Sequence, residues 1–197
     1  MAKVIQFPTP NPEKFGFKPV RKKKHEADKH GQLNLFSGAK VINLHQLSAF
    51  EEALMLDEQG DSRAASQYLK SIEKGDSVAD AYCNLGILES EQRNHSKAID
   101  CFTKCLKEDP RHFEAHYNLA NVYAEIGNLP LAKIHYEISI EIEPSFPNSY
   151  FNLGLTLAMN KEIDEAIRSL HTYQSLVVPE ERLQAEELIN SLARSVR

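Results

Sequence analysis

Between Ala79 and Val178 one arrangement of large, small and polar positions returns every 34 residues. It reads Tyr82-Cys83-Asn84-Leu85-Gly86, then His116-Tyr117-Asn118-Leu119-Ala120, then Tyr150-Phe151-Asn152-Leu153-Gly154. A second segment follows each at a constant offset: Lys97-Ala98-Ile99, Leu131-Ala132-Lys133 and Glu165-Ala166-Ile167. Two units close on Asp109-Pro110 and Glu143-Pro144, and proline disfavours helical backbone in the residue before it. Helix pairs that share apolar faces with their neighbours are the smallest explanation of this period. It predicts an all-α, right-handed superhelical solenoid of antiparallel helix pairs.

Residues 45–78 hold a fainter copy. Ala49, Ala53 and Leu56 lie at helical spacing, Gln59-Gly60-Asp61 makes a turn, and Ala64, Tyr68 and Ile72 share one face of a second helix near Arg63–Glu73. Gly60 can take positive φ, and Asp61 or Ser62 can cap the helix that follows. Glu51 and Glu52 stand where the other units have Leu-Gly, so this unit is a degenerate first repeat, as expected of a terminal one. At the other end Leu183, Leu188, Ile189, Leu192 and Val196 recur with polar residues between them. They predict a capping helix within 180–197 that covers the last hairpin's open face. The expected organisation is a tail over 1–44, the degenerate unit over 45–78, regular units over 79–112, 113–146 and 147–179, and the cap.

Charge separates the tail from the rest. Residues 1–44 carry nine Lys or Arg against three acids, while residues 45–197 carry fourteen against twenty-five. Pro8, Pro10, Pro12 and Pro19 interrupt the start, and neither helical nor strand periodicity follows, so a disordered tail is expected. Arg21, Lys22, Lys23 and Lys24 form a run suited to phosphate contact that weakens with salt, or to plain solvation. No recognition-helix pattern accompanies it, so nucleic-acid contact is expected only through the tail. No stretch has the length and apolarity of a membrane helix, and the first residues lack the apolar core of a signal peptide. Cys83, Cys101 and Cys105 form no even-numbered disulfide framework and read as reduced thiols of a cytoplasmic protein.

The regular units resemble the tetratricopeptide repeat (TPR) family, strongly over about 100 residues, and the degenerate unit makes about four hairpins. Tyr82, His116 and Tyr150 take the large place near the start of the first helix; Gly86, Ala120 and Gly154 are small where helices cross; Ala98, Ala132 and Ala166 do the same on the second helix. The third unit departs by having Tyr173 where the family has a small residue. The resemblance implies a concave groove lined by Cys83, Ile87, Tyr117, Asn121, Phe151 and Leu155, with a column of Asn84, Asn118 and Asn152 at its edge. It implies a protein or peptide partner held in extended form, since an amide offers both donors and an acceptor to a peptide backbone. A second reading stays open for the column, in which these amides bond neighbouring helix backbones and set the repeat geometry. Lys and Arg, which hold a C-terminal carboxylate in chaperone-binding members, are absent from the corresponding places.

Inside the tail, Gln32-Leu33-Asn34-Leu35-Phe36 is an apolar island that resembles the pentapeptide by which bacterial replication and repair proteins dock on the DNA sliding clamp. The resemblance gives Gln32 one small pocket and Leu35 and Phe36 a hydrophobic cleft; Leu33 completes the segment. The competing expectation is an anchor in cis, with Leu33, Leu35 and Phe36 packed on the solenoid. A third reading, from the similarity to solenoid halves of mercury-resistance-type regulators, is a transcription-related regulatory partner. No phosphate-binding glycine loop, nucleophile elbow or paired-carboxylate motif appears, so no enzyme and no cofactor are expected. Cys101 and Cys105 share a helical face with His95 nearby in sequence, which falls short of four ligands, so no metal is expected either.

Overall fold

The computed structural model describes residues 47–195. Four helix pairs follow one another: α1 (Ala49–Glu58) with α2 (Ala64–Glu73), α3 (Val78–Glu91) with α4 (His95–Glu108), α5 (Phe113–Glu125) with α6 (Leu129–Ile142), and α7 (Pro147–Met159) with α8 (Ile163–Leu176). A 3-10 turn, Pro179–Glu181, leads to α9 (Leu183–Ser195). Each helix packs against its hairpin partner, and each hairpin's second helix packs against the first helix of the next. The first helices also approach one another directly, α3 to α5 and α5 to α7, more closely than the second helices do. That asymmetry puts the first helices on the inner side of the curve.

Local chemistry sets the boundaries. Ser48 caps α1 in a reciprocal box with Glu51, satisfying two end donors at once. Asp76 reaches back from the next turn to accept the Phe50 N–H at 2.8 Å. Pro130 and Pro147 sit in first turns, where an N–H has no helical acceptor. The α2 start lies one residue later than a cap at Ser62 would give: the Asp61 carboxylate accepts the Arg63 N–H, and Arg63 is the N-cap residue.

The core runs along the stack in three linked clusters. Phe50, Leu56, Tyr68 and Ala81 fill the first; Phe102, Leu119 and Val122 the second; Tyr136, Leu157, Leu170 and Leu192 the third. Small residues let the helices of a pair close on each other. A Cβ on Gly86 would stand 2.7 Å from the Phe102 ring, and one on Gly154 2.8 Å from Leu170 Cγ. Tyr173, the departure in the third unit, packs its ring at 5.0 Å from Phe151. At the end of the stack α9 buries Ala185 and Leu192 and half-buries Leu188 and Ile189. Leu183, expected on that face, is instead 64% exposed. The 3-10 turn starts α9 at Leu183, before the helix reaches the hairpin, so Ala185 becomes its first buried contact. Val196 lies outside the described residues.

Candidate functional site

The repeated asparagines lie inside the stack and link its hairpins. Asn152 Nδ2 donates to Tyr117 Oη and to Asn121 Oδ1, both at 3.1 Å, and the Tyr136 hydroxyl donates to the same Asn121 oxygen at 2.6 Å. One repeat earlier, Asn118 Nδ2 points at Cys83 Sγ at 3.9 Å. Both links span 35 residues, so each asparagine reaches the residue preceding its counterpart in the repeat before. A helix stack with a constant rotation per repeat brings the same two positions together each time.

The nine residues assigned to the groove therefore divide. Cys83, Asn84, Ile87, Tyr117, Asn118, Asn121 and Asn152 are buried, and Phe151 and Leu155 are half-buried. For six of the seven buried ones the expectation of an open lining is corrected, because close approach of successive first helices takes them into the interior; Ile87, also mostly covered, borders a cleft. Burial also pushes the Tyr117 hydroxyl up to about 12, against smaller opposing bonds from Asn121 and Asn152. The tail residues assigned to partner contact, Arg21–Lys24 and Gln32, Leu33, Leu35 and Phe36, lie outside the described residues.

The stack opens at its first seam. A cleft of about 420 Å³ lies between the C-terminal halves of α1 and α3, the turn into α2 and the first turn of α2 itself. Leu54, Ile87 and Leu88 contribute apolar surface, and Asp57, Glu58, Asp61 and Glu91 surround it. Burial raises the Asp57 carboxyl above its ordinary value, opposed by the 2.8 Å bond from the Tyr68 hydroxyl, and burial raises Glu91 as well. Asp61 differs: its hydrogen bonds to Arg63 hold it low, at about 2. Two helix C-termini face this space, and each carries partial negative charge. Of the cleft, sequence reasoning had found only Ile87. The carboxylates around it come from a helix end, a turn and the next repeat, with no common spacing.

Two histidine clusters were also hidden in the sequence. His116 occupies an aromatic core place, as the repeat pattern implies, and stacks on His135 with Nδ1 atoms 2.9 Å apart. Burial and the neighbouring His116 push His135 down to about 4. Cys105 does not join Cys101 and His95; it meets Cys83 and His112 in the interior.

These features define a helical-hairpin repeat stack, with a bonded interior and an acidic cleft at its first seam. A tetratricopeptide repeat model matches residues 79–112, and another of the same description matches 101–133 and 135–168. Human Protein O-mannosyl-transferase TMTC3 is 32% identical over 117 residues, and Hsp70-Hsp90 organizing protein 3 of Arabidopsis thaliana is 30% identical over 84. The matched stretches are 57% and 43% of this chain but only 13% and 14% of those two proteins. The solved first TPR of Spaghetti (RPAP3), bound to HSP90 peptide SRMEEVD, has a similar fold. Its TM-score is 0.57 at 19% identity, covering 60% of this chain and 92% of that one. Tetratricopeptide repeats thus account for the stretch from 79 to 168, and the fold of these repeats serves as a protein-interaction module. No helix among the described residues is long and apolar enough to cross a membrane.

Proposed function

We propose that this chain is a non-enzymatic interaction module that takes an extended segment of another protein along its first helices, anchored by a Lys or Arg in the α1–α3 cleft. The observation that carries this reading is the cleft itself, with leucine and isoleucine surface inside a ring of carboxylates. A long cationic side chain suits such a place, because its methylenes lie on apolar surface while the charged head meets the acids. The cation also relieves Asp57 and Glu91 of the penalty that burial imposes on their charged forms. Beyond the cleft, the half-buried Phe151 and Leu155 on α7 offer further apolar contact. An acidic ligand such as SRMEEVD, the peptide bound by the similar Spaghetti domain, would here meet like charges.

The test pans a random peptide display library on the full-length chain and measures the enriched peptides by fluorescence anisotropy. Enriched sequences should pair Lys or Arg with an aliphatic or aromatic neighbour. The Glu58→Lys/Glu91→Lys variant should bind them roughly tenfold or more weakly with unchanged helicity, about 1 kcal/mol or so for each partly exposed charge reversed. No enrichment, or equal binding by the variant, would overturn the assignment.

A further inference from the structure

Cys83, Cys105 and His112 converge where the second hairpin meets the third. Cys83 lies on α3, Cys105 on α4, and His112 is the N-cap residue of α5. Their two sulfurs and one ring nitrogen lie within 4.8 Å of one another, and all three residues are buried. His112 Nε2 is 3.1 Å from Asp80 Oδ1, and Asp80 stands one turn before Cys83 on the same helix. On the other side of the ring, Nδ1 accepts the Ala115 N–H at 3.2 Å and lies 3.5 Å from Glu114 Oε2.

We propose that this cluster is a structural zinc site, with Cys83 Sγ, Cys105 Sγ and His112 Nε2 as ligands and Asp80 Oδ1 as the fourth. Two thiolates, an imidazole and a carboxylate form a borderline-soft tetrahedral donor set, which is the set zinc takes. Zn–S bonds of about 2.3 Å and Zn–N bonds of about 2.0 Å place neighbouring ligand atoms roughly 3.3–3.8 Å apart. The two sulfurs and the ring nitrogen therefore need to draw together by at most about 1.5 Å, and Asp80 Oδ1 already stands at a ligand's distance from the ring nitrogen.

The protons balance. Zinc displaces the two thiol protons, which leave to solvent. The His112 proton shifts from Nε2 to Nδ1, so the ring binds as a neutral imidazole. Nδ1–H then faces Glu114 Oε2, giving the histidine the carboxylate partner that orients metal-binding imidazoles, and the Ala115 cap bond is exchanged for it. The Asn118 amide, aimed at Cys83 Sγ, supports the charge on that sulfur. With four protein ligands and no open position, the site would pin α3 and α4 to the start of α5 rather than perform chemistry.

The test uses the full-length chain, reduced and stripped with a chelator, titrated with Co²⁺ alone and then with Zn²⁺. One equivalent of cobalt should bind, with a thiolate-to-cobalt charge-transfer band and tetrahedral d–d bands, and zinc should displace it. Cys105→Ser should lose the charge transfer or weaken binding at least 100-fold. Asp80→Asn, which keeps an acceptor for the His112 ring in the metal-free fold, should weaken it by more than the roughly 10- to 100-fold that loss of an outer-shell partner costs. Cys101→Ser, a cysteine of α4 outside the cluster, should bind as the parent does. Absence of the charge-transfer band, or binding that is indifferent to both Cys105→Ser and Asp80→Asn, would show an ordinary hydrogen-bonded core and overturn the proposal.

Discussion

Asn152→Ala separates the two roles open to the asparagine column. Asn152 is buried and uses both amide hydrogens, one to Tyr117 Oη and one to Asn121 Oδ1. Each such bond contributes about 1 kcal/mol net, and removing the amide also leaves a small void between hairpins. Asn121 Oδ1 keeps the Tyr136 hydroxyl as a donor, which limits the damage. The loss should come to about 2–4 kcal/mol, which for a chain of this size lowers the thermal midpoint by roughly 5–15 °C. Urea titration and thermal melting followed by far-ultraviolet circular dichroism would measure it. Gln184→Ala, at an exposed position of α9, serves as the comparison and should stay within about 0.5 kcal/mol. A loss below about 1 kcal/mol for Asn152→Ala would refute the linking role. If it also removed peptide binding, the amide would belong to a ligand contact instead.

Two further outcomes follow from packing and protonation. Gly86→Ala gains up to about 1 kcal/mol of helix propensity but pushes a methyl into the fully buried Phe102 ring, where overpacking costs about 1–3 kcal/mol. The net should be a loss near 1 kcal/mol in urea titration, partly recovered by adding Phe102→Leu; a net gain would mean that the hairpin spreads freely. The His116–His135 pair makes stability pH-dependent, because burial holds His135 near 4 while an unfolded histidine titrates near 6.5. The unfolded chain then takes up the proton first as pH falls. The contribution is therefore complete above about 6.5 and is lost between there and about 4, by about 1–2 kcal/mol for a ring that keeps some solvent contact. His135→Gln should flatten this part of the pH–stability curve, and an unchanged slope would remove the pair as its source.

Periodicity made the stack legible because it records a demand that recurs at every hairpin. Gly86 and Gly154 are small since Phe102 and Leu170 leave no room for a Cβ, and Ala98, Ala132 and Ala166 are fully buried at their crossings. The same reading left the asparagines between two roles, since a position on the first helix is compatible with the inner surface or with the seam to the next hairpin. Leu183 shows a related limit, because an amphipathic pattern identifies a helix but not the residue at which it first touches its neighbour.

The sequence by itself determined the order of the helix pairs, the places where they cross closely and the presence of a terminal cap. Each follows from interactions within one repeat length. Only the tertiary structure decided that Asn152 bonds Tyr117, that an acidic cleft opens between α1 and α3, and that Cys83 meets Cys105 and His112. These depend on how far each hairpin rotates against the last, a quantity set by packing across the seams that a 34-residue period leaves unspecified.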